Sequence, residues 1–215
     1  MSETTRAALE QDVVARMADL RAAIGTYRSV HKCLPDCMKE GETTRLNPEF
    51  LQHARVFPDR NAMFSALAVG PVAAEVGVQY GHFSRFMLDH SDVRTLYLFD
   101  SRTDLIRDDV RSDPRVRIQK GDSSGLLCSL ADGSLDWVYI DADHRYAGVK
   151  KDAEAALQKV RKGGILFFND YTPWSPVEVM AYGIMPVVND LVNQGHDLIG
   201  IGLNPWGYFD MALRN

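Results

Sequence analysis

The sequence lacks the features that would place it in a membrane, in an oxidising compartment or on a nucleic acid. No run approaches the roughly 20 apolar residues that a membrane-spanning helix needs, and residues 1–9 are polar rather than an apolar signal core. Only three cysteines occur among 215 residues, which fits a reducing compartment. The net charge of -5 argues against a large Lys/Arg face that displaces counterions from phosphates. We therefore expect a cytoplasmic protein with a small-molecule ligand and without nucleic-acid or membrane partners.

The few cysteines do not form a recognisable metal or redox motif. Cys33 and Cys37 are four residues apart, which differs from the two-residue spacing of a zinc knuckle or a redox pair. Cys128 stands in an apolar stretch and is expected in the core. All three are interpreted as ordinary thiols.

A dinucleotide-binding glycine loop is also absent, although a related pattern is present. Residues 71–84 predict a buried strand, a glycine turn and a helix, with an acid at Glu75 followed by Gly77 and Gly81. A Rossmann dinucleotide loop would carry its later glycines at offsets of two and five from the first, whereas these two are four apart. An acid before such a turn suits a cationic adenosine ligand, and S-adenosylmethionine (SAM) carries a sulfonium and an ammonium that Glu75 would attract. The pattern resembles motif I of class I methyltransferases.

The chain from residue 70 onward alternates between strand and helix patterns. Helical stretches separate the first six of seven predicted strands, which are Val72–Val76, Thr95–Phe99, Val116–Gln119, Leu135–Ile140, Ile165–Phe168, Asp197–Ile201 and Tyr208–Leu213. This alternation predicts an α/β fold with a Rossmann-like, mostly parallel seven-stranded sheet covered on both faces. The last two strands are too close for a crossover helix, so they should form a C-terminal antiparallel hairpin.

Residues 1–69 have a different pattern and predict a helical appendage to a SAM-binding domain at residues 70–215. Apolar residues spaced along Thr4–Tyr27 indicate one long helix, and Pro48–Val56 and Arg60–Leu67 indicate two shorter helices. We expect the appendage to pack over the cofactor or to mediate a homodimer.

Two acids follow predicted strands at the positions where a doubly wound sheet binds ligands. Asp100 ends its strand about 20 residues after the glycine turn, where a carboxylate can accept both ribose hydroxyls. Asp122 follows the next strand and is a candidate contact for adenine. A helix cap over the residues after Asp122 is an equally good interpretation.

The densest group of polar residues follows the fourth and fifth predicted strands. Asp141, Asp143 and His144 leave one strand end within four residues, and Asn169 and Asp170 leave the neighbouring one. Adjacent parallel strands lie about 4.8 Å apart, so these ends can converge on one ion. Oxygen ligands of this kind suit Mg²⁺ or Ca²⁺, with Asp141, Asn169 and Asp170 as the candidate ligands. Asp143 could be a ligand, a partner for the next residue or a helix cap.

These strand ends resemble those of metal-dependent O-methyltransferases of the catechol and caffeoyl-CoA types, whose fifth strand ends in an Asp-Asn pair. The pair is reversed here, as Asn169-Asp170, which keeps one carboxylate and one amide oxygen. The run Asp-Ala-Asp-His-Arg-Tyr at 141–146, with Gly163-Gly164, is still more similar to bacterial macrocin-type methyltransferases. The resemblance covers residues 71 to about 175. It implies a class I methyltransferase in which Glu75, Gly77, Gly81, Asp100, Asp122 and Asp141 bind SAM.

Methyl transfer to a hydroxyl would explain this set of side chains. The hydroxyl must lose its proton as it attacks, which a divalent ion or a nearby base promotes. His144 is the candidate base because its ordinary pKa lies near 6.5, although a histidine at this position can also cap a helix. The sequence favours O-methylation of a small hydroxylated metabolite with divalent-metal help. It leaves open a metal-free N- or O-methyltransferase, a non-catalytic SAM-binding module and, less well supported by the glycine spacing, a nucleotide-sugar or NAD enzyme.

Overall fold

The computed structural model describes residues 3–215, with side chains from residue 5. It divides into two compact units, one ending at Lys39 and one from Glu40 to Asn215. The division lies earlier in the chain than the predicted boundary at residue 69. The second unit therefore includes part of the segment that the sequence assigned to a helical appendage.

The first unit consists mainly of one long helix. Helix α1 spans Glu3–His31 and is followed by a 3-10 turn at Asp36–Met38, in agreement with the predicted helix over 4–27. Ion pairs one turn apart, such as Arg16 with Asp12 at 2.9 Å, support an exposed helix. Its apolar side chains at Val13 and Met17 are exposed, so within this chain α1 has no buried apolar face at these positions.

The second unit contains the other elements. Its helices are α2 (Arg60–Leu67), α3 (His82–His90), α4 (Asp108–Arg111), α5 (Ser123–Cys128), α6 (Tyr146–Lys159) and α7 (Ile184–Asn193). Its strands are β1 (Arg55–Phe57), β2 (Val72–Val76), β3 (Thr95–Asp100), β4 (Val116–Lys120), β5 (Leu135–Ile140), β6 (Val160–Tyr171), β7 (Trp174–Ser175), β8 (Met180–Ala181), β9 (Asp197–Gly202) and β10 (Phe209–Arg214). Short 3-10 turns lie at Pro48–Leu51 and Thr103–Leu105.

The main sheet has the strand order β1-β9-β10-β6-β5-β2-β3-β4. Strands β2 to β6 pair in parallel with their neighbours, whereas β10 runs antiparallel to both β6 and β9. The seven predicted strands and the C-terminal antiparallel hairpin are thus confirmed. Strands β7 and β8 form a separate two-stranded antiparallel sheet.

The predicted helix over 48–56 is wrong. Only its first part is helical, as a 3-10 turn at Pro48–Leu51, and Arg55–Phe57 adds an eighth strand parallel to β9. The predicted helix is short, and Val56 and Phe57 favour strand. Pairing with the free edge of β9 is therefore more favourable here than a helix. The 3-10 turn begins at Pro48 after the Asn47 side chain, which accepts from the Glu49 amide at 3.1 Å.

The sheet is covered on both faces by apolar side chains. One cluster includes Val138, Phe168 and the α7 residue Val188, and the other includes Trp137, Phe167 and the α2 residue Phe64. Consecutive residues of β5 therefore point into opposite layers, as a sheet buried on both faces requires. Cys128 is exposed, which corrects its predicted place in the core, because it is the last residue of the short helix α5.

Across residues 3–215, the structure contains no helix that is both long enough and apolar enough to cross a membrane.

Candidate active site

A cavity of about 1220 Å³ opens at the carboxyl ends of the central strands. This is the edge at which parallel α/β sheets bind ligands. Its wall contains every predicted site residue except Gly81, namely Glu75, Gly77, Asp100, Asp122, Asp141, His144, Asn169 and Asp170.

The turn after β2 needs its two glycines for different reasons. Gly77 has φ +83°, and a Cβ there would come within 1.9 Å of the Asp141 carbonyl oxygen. The β2 turn and the chain after β5 can therefore approach each other only at a glycine. Gly81 has φ +75° and is the N-cap residue of α3. Its role in this structure is to begin the helix, since it lies outside the cavity wall.

Glu75 lies at the base of the cavity, 2% exposed. Burial raises the pKa of its carboxyl to about 8, against the opposing effect of the hydrogen bond that the Ser84 hydroxyl donates to it. A carboxyl with such a pKa is poised to ionise when a cationic group approaches. The expectation that Glu75 attracts a cationic ligand stays a prediction.

Asp100 organises the rim at the end of β3. Its Oδ2 accepts from the amides of Val78 at 2.7 Å and Gln79 at 2.9 Å, and its Oδ1 accepts from the Arg102 amide at 2.7 Å. Burial pushes the pKa of this carboxyl upward, but these backbone bonds bring it below its usual value. Asp100 thus stays ionised while it links the glycine turn to the β3 loop.

The helix-cap interpretation of Asp122 is confirmed, and its contact with adenine stays a prediction. Asp122 is the N-cap of α5, where it accepts from the Gly125 amide at 3.0 Å and the Ser124 hydroxyl at 2.9 Å. It also lines the cavity, beyond β3 in the strand order.

Asp141, His144 and Asp170 converge as the sequence predicted for neighbouring strand ends. One ligand atom from each lies within 4.8 Å of the others. His144 Nε2 is 3.2 Å from an Asp141 oxygen and 3.9 Å from an Asp170 oxygen. Two carboxylates and an imidazole form a donor set that a divalent cation can use.

The charges of neighbouring groups influence the pKa values of His144 and Asp170. Burial alone would lower the pKa of His144, but the hydrogen bond and charge of Asp141, with the charges of Asp170 and Glu178, raise it. Burial, followed by the charge of Asp141, raises the pKa of Asp170 to about 6. Asp170 also has φ +56°, a backbone conformation that is uncommon for a residue with a side chain. The site therefore concentrates negative charge that a cation or a protonated histidine can balance.

Asn169 belongs both to the cavity wall and to a buried hydrogen-bond network. It is buried, and its amide nitrogen donates to the Tyr139 hydroxyl at 3.2 Å and points to Asp210 at 3.4 Å. The side-chain nitrogen is thus directed toward a buried network, and the role of the Asn169 amide oxygen as a metal ligand stays a prediction. Asp143 accepts from the Arg145 amide at 3.0 Å, at the start of α6.

Sequence reasoning missed Glu178, which lies in the turn between β7 and β8. Its Oε2 is 3.7 Å from His144 Nδ1 and accepts a 2.9 Å hydrogen bond from the Tyr182 hydroxyl. The Tyr182 ring also packs on the imidazole, with 4.4 Å between ring centroids. His144 therefore has carboxylates on both ring nitrogens. No local motif marks this turn, because it approaches His144 only through the tertiary fold.

Arg60 was missed as well. It is the first residue of α2, it lines the cavity beside Glu75, and its guanidinium carbon lies 4.4 Å from the centre of the Phe83 ring. The sequence placed this residue in a peripheral helix, and no pattern linked it to the glycine turn.

Comparisons with known proteins agree with this fold. Residues 74–171 match a family model described as a methyltransferase domain. The chain is 38% identical over 69 residues to an uncharacterized protein of Acanthamoeba polyphaga mimivirus, which is 31% of this chain and 28% of that protein. The chain thus spans less than a third of that curated relative.

Solved structures share the fold at low sequence identity. A spermidine synthase from Thermotoga maritima has a TM-score of 0.54 and 16% identity, over 77% of this chain and 60% of that one. The N-methyltransferase NodS from Bradyrhizobium japonicum has a TM-score of 0.53 and 14% identity, over 71% of this chain and 91% of that one.

The sheet belongs to the fold that these solved structures share, and residues 74–171, which line part of the cavity, are similar to a methyltransferase domain. This match begins within β2, before the glycine turn, and ends at Tyr171, the last residue of β6.

Proposed function

We propose that this chain methylates a hydroxyl group of a small molecule. SAM would be the methyl donor, and a divalent cation such as Mg²⁺ would assist the reaction. The observation that carries the proposal is the convergence of Asp141, His144 and Asp170 in the same cavity as Glu75 and Asp100. Ligand groups for the donor and polar groups for the acceptor are thereby adjacent.

The donor would lie across the central strands. Asp100 at β3 is suited to the ribose hydroxyls, Asp122 at β4 to the adenine side, and Glu75 at β2 to the positively charged methionine end. This order follows the strand order β5-β2-β3-β4. Methyl transfer requires mainly that the donor and acceptor are aligned and that water is kept out.

The acceptor would lie at the other end of the cavity, against Asp141, Asp170 and His144. When bound there, a divalent cation lowers the pKa of a coordinated hydroxyl. Asp141 and Asp170 would hold it, with His144 Nε2 or the Asn169 amide oxygen as a further donor. His144 is alternatively the base that takes the hydroxyl proton.

A metal-free methyltransferase is the second candidate, and one contact favours it. The 3.2 Å hydrogen bond between His144 Nε2 and Asp141 already forms an imidazole-carboxylate pair that can act as a base without a cation. In that case the acidic groups would bind a protonated substrate amine or the hydroxyl itself. A non-catalytic SAM-binding module is the third candidate.

Release of S-adenosylhomocysteine separates these candidates. The purified chain would be incubated with SAM and a panel of hydroxylated and amine-containing metabolites, with and without EDTA. Metal-assisted O-methylation predicts product from hydroxylated acceptors that disappears in EDTA and returns with Mg²⁺. Product that persists after EDTA and dialysis would support the metal-free enzyme, and no turnover with any acceptor would support the binding module.

The assembly and location of the protein stay predictions. A homodimer through α1 is supported by exposed apolar residues at the spacing of one helical face, including Val13, Met17 and Leu20. Light scattering of the full chain and of residues 40–215 would test it, since only the full chain should have twice its monomer mass. A cytoplasmic location and the absence of nucleic-acid or membrane partners also remain expectations from composition.

A further inference from the structure

The cavity contains few side chains that can carry positive charge. Those in its wall are Arg60, His82, Arg102 and His144. His144 is enclosed by carboxylates, as described above, and His82 contacts the Arg107 guanidinium at 3.0 Å. Arg102 follows Asp100 at the end of β3, on the ribose side. Arg60 is therefore the cationic group beside β2 and β5, where Glu75 and Asp141 lie.

Arg60 lacks a close ionic partner. Among the side chains of residues 5–215, no carboxylate oxygen lies within 4.0 Å of its guanidinium nitrogens. Arg60 forms a hydrogen bond with the Tyr139 hydroxyl, and beyond the ion-pair distance its charge interacts with four carboxylates, those of Asp210, Asp141, Glu75 and Asp170. A half-buried guanidinium has five donors in a rigid fork, so it has capacity left for an anion from a ligand.

The fold fixes the position of Arg60. A Cβ on Gly202 of β9 would lie 3.1 Å from the Arg60 Cα, so α2 begins in tight contact with the sheet. The Asp59 side chain caps the helix by accepting from the Ala62 amide at 2.7 Å. The Phe83 ring supports the guanidinium from α3. The N-cap of α2 and contacts with β9 and α3 thus hold this charge at the cavity wall.

The chemistry of the donor identifies the anion. SAM has a neutral adenosine, a positive sulfonium, a positive ammonium and one negative group, its carboxylate. With ribose at β3, the methionine end extends over β2 and β5, toward Glu75 and Arg60. We infer that Arg60 binds the carboxylate of the methionine moiety and so selects SAM over adenosyl ligands that lack this group.

This inference rests on the proposed placement of the donor along the strands, and it goes beyond the family match, which begins after Arg60. Paired hydrogen bonds from an arginine to a carboxylate are among the strong ones in proteins. The contribution of Arg60 to affinity should appear as a difference between the dissociation constants of two ligands that differ only in the carboxylate.

The test is calorimetric binding of S-adenosylhomocysteine and of its decarboxylated analogue, S-adenosyl-3-thiopropylamine. The wild type should bind S-adenosylhomocysteine about tenfold more tightly or better. Arg60→Met should remove most of that preference by weakening S-adenosylhomocysteine alone, and Arg60→Lys should keep part of it. Arg102→Met is the matched control: it removes another arginine of the same cavity and should leave the ratio of the two dissociation constants unchanged.

Other outcomes overturn the inference in distinguishable ways. Arg60→Met could weaken the binding of both ligands equally, or of neither, while its thermal melting stays cooperative. Arg60 would then support the cavity without binding the carboxylate. If the wild type binds the analogue as tightly as S-adenosylhomocysteine, no carboxylate subsite exists. If the wild type binds neither ligand, the proposed donor site fails together with the inference.

Discussion

At the scale of single residues, some acidic side chains of the cavity already form hydrogen bonds within the protein. Asp100 accepts three backbone amides and Asp122 caps a helix. Glu75 and Asp170, in contrast, have raised pKa values because of burial. Asp100 and Asp122 therefore remain ionised and support the local backbone. Glu75 and Asp170 can instead change their protonation when a ligand brings a charged group.

Asp100→Ala should weaken the binding of S-adenosylhomocysteine about 10-fold to 100-fold, because a lost charge-assisted hydrogen bond costs about 1.5–3 kcal/mol. Calorimetry measures the dissociation constant. The chain should still fold, since Asp100 lies at the rim rather than in the core. Asp104→Ala, an exposed acid in the same loop, is the control and should leave the constant unchanged. Equal effects of the two changes would contradict a ribose contact.

Asp141→Ala and Asp170→Ala should each lower kcat about 100-fold or more and abolish stimulation by Mg²⁺, because each removes a candidate ligand carboxylate. Titration of the chain with Mn²⁺, followed by electron paramagnetic resonance, gives the metal affinity independently of turnover. Asp143→Ala is the control, since its carboxylate bonds to the Arg145 amide instead, and it should retain the response to metal. Unchanged Mn²⁺ affinity in both test variants would exclude this cluster as the site.

At the scale of elements, the two-stranded β7–β8 sheet presents Glu178 to the imidazole. The turn is braced by the Ser175 hydroxyl, which accepts from the Glu178 amide at 3.1 Å and contacts the Tyr208 hydroxyl at 2.9 Å. This small sheet follows directly on β6 and so places a carboxylate over the group formed by β5 and β6. The Glu178 carboxylate and the second ring nitrogen of His144 are 3.7 Å apart, which is an ionic contact rather than a hydrogen bond.

Glu178→Ala should lower kcat about tenfold or more and leave the dissociation constant of S-adenosylhomocysteine unchanged. The reason is that Glu178 faces His144 Nδ1 rather than the β2–β4 side of the cavity. Steady-state kinetics with calorimetry checks both quantities. Val179→Ala changes an exposed residue of the same turn outside the cavity wall and should have little effect. A matching loss in both variants would indicate that the turn matters only for folding.

At the scale of the whole molecule, the second unit buries several acids at one edge of its sheet. Burial raises the pKa of Asp210 to about 7 and that of Glu75 to about 8. In the unfolded chain these groups ionise near pH 4, so the folded state holds more protons between these limits. The stability of the ligand-free protein should therefore decrease as the pH rises from 5 to 9.

Glu75→Gln tests this linkage at one position. The contribution of the protonated Glu75 is fully present below about pH 4.5 and is lost as the pH rises through about 8. The free energy of unfolding of the variant, relative to wild type, should thus increase by on the order of 2–4 kcal/mol between pH 5 and pH 9. Urea denaturation at both pH values measures it. Glu154→Gln, on the exposed side of α6, should show no such change, and a pH-independent difference for Glu75→Gln would refute the shifted pKa.

Much of the sheet and of the cavity wall followed from local sequence patterns. Buried parallel strands are nearly continuous apolar runs, as in Leu135–Ile140, so their positions are encoded locally. Residues that follow such strands must reach the same edge, which is why the strand pattern alone predicts that Asp100, Asp141 and Asp170 lie together. The glycine turn was recognisable because only glycine allows the approach seen at Gly77.

Other features depended on contacts between distant segments. Strand β1 exists because the edge of β9 was open, and Asn169 faces Tyr139 and Asp210 because β10 lies beside β6. Arg60 and Glu178 join the site from elements that are distant in sequence from the glycine turn and from His144, respectively. Sequence by itself determined the order of the elements and the chemistry at their ends. Only the tertiary structure decided that Arg60 and Glu178 also lie at this site, because contacts between distant segments depend on packing and leave no local pattern in the sequence.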